Sequence, residues 1–140
     1  MRRIALGLAL LTGLAAHGAG AAVLEVNIDL SDQRMTVSQH GFPRHVWSVS
    51  TARGGYVTPT GNFRPTRLER VWFSRKYDNS PMPNSVFFKG GYAIHGTQYV
   101  KSLGRPASHG CVRLHPDNAR TLYNLVQSTG AKNTAIRITY

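Results

Sequence analysis

Ser108-His109-Gly110-Cys111-Val112-Arg113-Leu114 carries the one cysteine of this 140-residue chain. A second histidine lies upstream in Ile94-His95-Gly96-Thr97, with 12 residues between His95 and Ser108. A thiol attacks well only as its thiolate, and its reference pKa of about 8.5 falls beside an imidazolium. Histidine can take and return that proton because it titrates near neutrality. Tyr92-Ala93-Ile94 reads as a short buried strand leading into His95, and His109-Gly110-Cys111 enters another element. Folding can therefore bring thiol and imidazole together. Gly110 lets the backbone approach a substrate closely and can aim N–H groups at a developing oxyanion.

Around this stretch the pattern is mainly β. Val23 to Leu30 alternates apolar and polar positions, a turn signal follows at Ser31-Asp32-Gln33, and Arg34 to Ser38 resumes the alternation. After a turn at His40-Gly41, Arg44 to Thr51 is a third strand, so these segments suggest an antiparallel meander. From Ala52 the prolines and glycines rule out a long regular element, and Arg64 to Asn84 reads as a long loop or hairpin. Ser85 to Phe88 and Tyr92 to Ile94 form two strands around Gly90-Gly91. Pro116 to Gln127 is the one helix expected after the leader, with Pro116 at its first position, Asp117 in its first turn and Gly130 as its stop. Thr134 to Tyr140 closes the chain as a strand.

The N-terminus has the form of an export signal. Arg2 and Arg3 precede an apolar run from Ile4 to Ala16, and Ala19-Gly20-Ala21 offers small residues for cleavage. The run is shorter than the roughly 20 residues of a comfortable membrane span, although an uncleaved anchor is the competing reading. Residues 1–21 are thus expected as leader and 22–140 as one domain. An unpaired cysteine in an oxidising compartment cannot be half of an intramolecular disulfide, which strengthens the case for chemistry at Cys111. Losing Arg2 and Arg3 takes the formal charge from +11 to +9, which favours an anionic partner or serves solubility. Basic residues interleave with aromatics in the 64–84 segment, yet no nucleic-acid recognition motif accompanies them.

Other readings of the same residues stay open. A lone cysteine is often a small buried hydrophobe. His95, His109, Cys111 and His115 could ligate zinc, but they lack a paired metal-ligand spacing and a nearby carboxylate. His115 suits a helix start. Arg113 can hold a substrate carboxylate through a bidentate contact or pair with Asp117. Thr97 and Ser108 can orient the histidines or serve as turn residues, and Tyr77 and Tyr92 can donate hydroxyls near the site or pack.

The two histidine segments together resemble the signature of the L,D-transpeptidase (YkuD-domain) family. Thr58-Pro59-Thr60-Gly61-Asn62-Phe63 is similar to that family's T-P-x-G-x-F segment, and Pro81-Met82-Pro83 ahead of Phe87-Phe88 to its M-P stretch. The likeness spans Val23 to Tyr140. It implies a mainly β fold of mixed sheets packed as a sandwich, with one short helix near the C-terminus. It also implies an exported enzyme of the periplasm or cell envelope acting on peptidoglycan stem peptides. By position, Cys111 becomes the nucleophile, His95 the general base and His109 a supporting residue. Gly110, Gly96 and Ser108 become oxyanion or positioning residues, and Arg113 and Thr97 substrate contacts. The thiolate would attack the carbonyl of the position-three diamino acid and release D-alanine. The thioester would then pass to an amine, in a cross-link or on an acceptor protein. Hydrolysis at the same site and a non-catalytic peptidoglycan-binding domain are the alternatives. No cofactor, metal or nucleic acid is implied, and the expected state is a monomer.

Overall fold

The computed structural model describes residues 22–140; the expected leader lies outside them. In chain order the strands are β1 (Leu24–Asp29), β2 (Arg34–Gln39), β3 (Phe42–Ser48), β4 (Gly61–Phe63), β5 (Arg67–Glu69), β6 (Phe73–Ser74), β7 (Ser80–Pro81), β8 (Ser85–Lys89), β9 (Tyr92–Gly96), β10 (Val112–Leu114) and β11 (Thr134–Thr139). Helix α1 spans Pro116–Thr129 between β10 and β11, and single 3₁₀ turns lie at Val100–Ser102 and Ala131–Asn133. One sheet has the order β3-β2-β1-β11-β4, a second β10-β9-β8-β5, and β6 and β7 form a separate hairpin.

The expected meander is present. β1 pairs antiparallel with β2, and β2 with β3. On the other side β11 returns to lie parallel to β1, with Leu24 opposite Thr134 and Ile28 opposite Ile138. Leu24, Val26 and Ile28 alternate with Glu25, Asn27 and Asp29, so a period of two sends one face of β1 inward. Met35, Val37, Ile136 and Ile138 join that face.

This inner face packs on the second sheet through Val86, Phe88, Ile94, Val112 and Leu114, with Ala119, Leu122, Tyr123 and Val126 of α1 completing the core. The helix begins as its residues dictate. Pro116 occupies the start, the His115 ring accepts from the Asp117 N–H at 3.1 Å, and Gly130 ends it at φ +91°. His115 is thereby accounted for as a cap.

The second sheet has two buried faces, which is what places the site. Phe87 points away from the main core into a smaller cluster with Met82 and Ala93, against which Trp72 and Cys111 pack. The 64–84 segment is more structured than a plain loop. Its β5 adds to β8, and its β6–β7 hairpin stands beside this outer face. Among the described residues no helix is long and apolar enough to cross a membrane.

Candidate active site

β9 and β10 run parallel, with Val112 opposite Ile94, Arg113 opposite His95 and Leu114 opposite Gly96. Paired residues in register point to the same face, and faces alternate along each strand. Ile94, Val112 and Leu114 therefore enter the core, while His95, Arg113 and Cys111 face outward together. All three line one cleft of about 720 Å³, whose wall also includes Trp72, Tyr77, Phe87 and His109.

Two short parallel strands need something to hold the chain between them. A strap at residues 49–53 supplies it. Ser50 and Arg113 exchange both backbone hydrogen bonds, at 3.0 and 2.8 Å. Thr51 C=O accepts from the N–H groups of Ala107 and Ser108, and the Arg53 N–H donates to Ser108 C=O. The Ser50 hydroxyl donates to Arg105 C=O at 2.7 Å. Buried Gln33 ties the strap to the first sheet. Its side-chain oxygen accepts from the Thr51 N–H at 2.9 Å, and its nitrogen donates to Leu30 C=O at 2.8 Å and to the Thr51 hydroxyl.

The cysteine loop is held just as closely. The Ser108 hydroxyl accepts from the Gly110 N–H at 3.0 Å and donates to Cys111 C=O at 2.7 Å. Buried Thr58 accepts from the Ala52 N–H at 3.0 Å and donates to Gly110 C=O at 2.9 Å. Gly110 has φ +134°, and a Cβ there would lie 2.6 Å from the Tyr92 ring and 2.8 Å from Val57 C=O. Only glycine suits that position. The Gly110 N–H, expected as an oxyanion donor, is engaged by Ser108. Gly96 is a packing glycine, since a Cβ would press on Pro83, Pro116 and Ala119 at 3.1 to 3.4 Å.

His95 is buried, and its Nδ1 lies 2.7 Å from Gly96 C=O. A carbonyl can only accept, so Nδ1 carries the proton and Nε2 keeps its lone pair. Burial lowers the His95 pKa to about 4; the Gly96 hydrogen bond opposes this and the Arg113 charge adds to it. The Cys111 thiol is pushed up by burial, with the Ala93 backbone and Arg113 pulling the other way. Its sulfur lies 3.8 Å from Gly91 C=O. At neutral pH Cys111 is therefore a thiol and His95 a neutral imidazole.

His109 stands in the cleft wall, stacked on Tyr77 at 4.0 Å between ring centres and edge-on to Tyr56 at 4.7 Å. Its pKa is lowered, first by desolvation and then by Arg53, Arg113 and Lys76. Arg113 does not pair with Asp117, whose carboxylate meets His115 and Arg120 instead. Its guanidinium donates to Ala107 C=O at 3.3 Å and lies over the Tyr99 ring. The Thr97 hydroxyl accepts from the Tyr99 N–H at 3.0 Å, and its residue lines the cleft. Ser108 and Thr97 thus organise loops, not the imidazoles. Tyr77 and Tyr92 pack, the latter against Phe88 and beneath Gly110. Among the described residues no group of three or more His, Cys, Asp or Glu converges to hold a metal ion.

In the sequence Gln33 stands out only as a turn residue, Ser50 and Thr51 only as the end of a strand, and Thr58 only as part of a family segment. The T-P-x-G-x-F likeness was the available signal for Thr58. The strap residues carried none, because each acts through backbone contacts distant in sequence.

The family model for the L,D-transpeptidase catalytic domain (YkuD) matches residues 24–138. YqjB of Bacillus subtilis (strain 168), whose name assigns it to the L,D-transpeptidases, is 30% identical over 94 residues, covering 58% of this chain and 53% of that protein. An L,D-transpeptidase from Mycobacterium smegmatis superposes with a TM-score of 0.74 at 25% identity, over 85% of this chain and 59% of its own. The L,D-transpeptidase LdtMt1 in complex with imipenem gives 0.73 at 25% identity, over 84% and 59%. The chain spans somewhat more than half the length of these relatives.

Proposed function

The chain belongs to the YkuD family of L,D-transpeptidase catalytic domains, and from that premise we propose that it is an exported, cysteine-dependent acyltransferase of peptidoglycan. The observation that carries the proposal is the shared outward face of β9 and β10, which puts Cys111, His95 and Arg113 in one cleft.

In the proposed reaction, the acyl donor is a tetrapeptide stem, and the attacked carbonyl belongs to the L-centre of its position-three diamino acid. His95 Nε2 takes the Cys111 proton as sulfur attacks. A strongly lowered imidazole pKa and a raised thiol pKa disfavour a preformed ion pair. Proton transfer is therefore coupled to attack, and charge develops on the substrate oxygen rather than resting on sulfur. With the Gly110 N–H engaged by Ser108, the Cys111 N–H is the remaining backbone donor for that oxyanion. Imidazolium returns the proton to the leaving amine and D-alanine departs. An amine acceptor then attacks the thioester, with His95 again taking the proton, and the free thiol is restored. His109 supports the cleft wall, and Arg113 receives a donor carboxylate.

The test is product analysis on purified tetrapeptide muropeptide. Wild type releases D-alanine and forms dimers or adducts, while Cys111→Ala and His95→Ala release none. Undiminished release by Cys111→Ala sinks the reading.

A further inference from the structure

Five cationic side chains line the cleft, namely Arg53, Arg67, Arg75, Lys76 and Arg113, and no aspartate or glutamate does. The carboxylates of the domain are elsewhere. Glu69 faces Arg67 from beside the cleft, at 3.7 Å. Asp117 sits at the helix start with His115 and Arg120, and Asp29 accepts from the Asp32 N–H on the first sheet. Asp78 follows Tyr77 at the tip of the β6–β7 hairpin, exposed and outside the lining.

One use for such charge would be to ionise the thiol, but the arrangement does not serve that. Arg113 alone among the five acts on Cys111. Arg53 and Lys76 act with it on His109, on the wall where Tyr77 brings the hairpin over the ring. Arg53, Lys76 and Arg113 therefore gather at the His109 wall of the cleft rather than around the sulfur. A tetrapeptide donor always brings one carboxylate near the scissile bond, on its terminal D-alanine. Arg67 already faces Glu69, and one carboxylate cannot neutralise the remaining four cations; Arg113 is partly withdrawn from water with only one nitrogen engaged by Ala107. A cleft of one sign also concentrates field lines on an anionic ligand.

We infer that this cleft selects donors whose position-three diamino acid carries a free, ionised side-chain carboxylate, and that it discriminates against the carboxamide form and against diamino acids without that carboxylate. The inference rests on the transpeptidase reading for the orientation of the donor.

The experiment compares two synthetic disaccharide tetrapeptides that differ only in carboxylate versus carboxamide at that side chain. Calorimetric titration of Cys111→Ala reads binding without turnover. The carboxylate form is expected to bind roughly tenfold more tightly at low salt, the sum of several partly exposed contacts. The advantage should shrink to about twofold in about 0.5 M salt, where charges are screened within a few ångströms. Adding Arg53→Gln and Lys76→Gln should erase most of it, whereas Arg44→Gln, on β3 and outside the cleft lining, should leave it intact. Equal affinities, no binding of either peptide, or a preference untouched by salt and by Arg53→Gln/Lys76→Gln overturns the inference. Wild type is assayed in parallel for D-alanine release. Equal kcat/KM on both peptides overturns charge selection alone. A binding preference without release from either peptide upholds charge selection and sinks the transferase reading instead.

Discussion

Replacing Thr58 by valine removes one hydroxyl at nearly constant volume, so it probes a hydrogen bond without opening a cavity. That hydroxyl accepts from the partly buried Ala52 N–H and donates to the buried Gly110 C=O. A buried backbone group left unpaired costs about 1–3 kcal/mol, and the partly buried Ala52 N–H stands at the low end of that range, so Thr58→Val is expected to lose about 2–4 kcal/mol. For a domain of this size that lowers Tm by roughly 8–16 °C. The catalytic effect follows from peptide planarity. Gly110 C=O and the Cys111 N–H belong to one peptide unit, so fixing the carbonyl on Thr58 also fixes the amide proposed for the oxyanion. Removing an oxyanion donor outright costs about 100- to 1000-fold in kcat, and loosening one is expected to cost about 10- to 100-fold. D-alanine release is measured well below the variant's Tm, separating kcat from KM, with Thr58→Ser as the control that keeps a hydroxyl. The drop should fall on kcat, and Thr58→Ser should recover most of it. A folded Thr58→Val enzyme with kcat within about twofold of wild type would refute the positioning argument, even if its Tm had fallen as expected.

Three further outcomes come from the same loop and strand. With His95 held near pKa 4 by burial, the acidic limb of kcat/KM should lie near pH 4, not near the ordinary imidazole value of 6.5. Because the folded-state pKa is the lower one, the unfolded chain binds the extra proton, so stability present above pH 6.5 falls by about 3 kcal/mol toward pH 4. Denaturant titrations at pH 7 and pH 4.5 check this, and His95→Gln should flatten that part of the dependence. Gly110→Ala forces a side chain to 2.6 Å from the Tyr92 ring at φ +134°. We expect it to cost roughly 2–4 kcal/mol and to abolish turnover. A variant with native Tm and activity would show that the loop adapts.

Much of the scaffold could be read from local pattern. β1 alternates cleanly and β2 does so up to Val37, and α1 carries its own start and stop in Pro116 and Gly130, so period and punctuation were sufficient there. The parallel partnership of β1 with β11 was not legible, because nothing local records which distant strand closes a sheet. β10 has three residues and exists as a strand through its pairing with β9 and its bridge to Ser50. β5, β6 and β7 are also too short to show a period. In the site, Cys111, His95 and Arg113 stood out because a thiol, an imidazole and a guanidinium are reactive or charged by residue type alone. Thr58, Ser50, Thr51 and Gln33 have ordinary polar side chains whose work depends on backbone atoms up to 55 residues away. The competing uses of Ser108 and Gly110 were likewise invisible, since which N–H is free depends on loop geometry and not on residue type.

The central claim is that Cys111 carries the acyl group. Wild type is mixed with tetrapeptide muropeptide, quenched in acid within the first turnovers, and measured by intact mass and by peptide mapping. The account expects a mass increase equal to the tripeptide acyl group, located on the peptide containing Cys111, absent from Cys111→Ala and discharged when an amine acceptor is added. D-alanine release with no covalent adduct at Cys111, or the same adduct in Cys111→Ala, would contradict it.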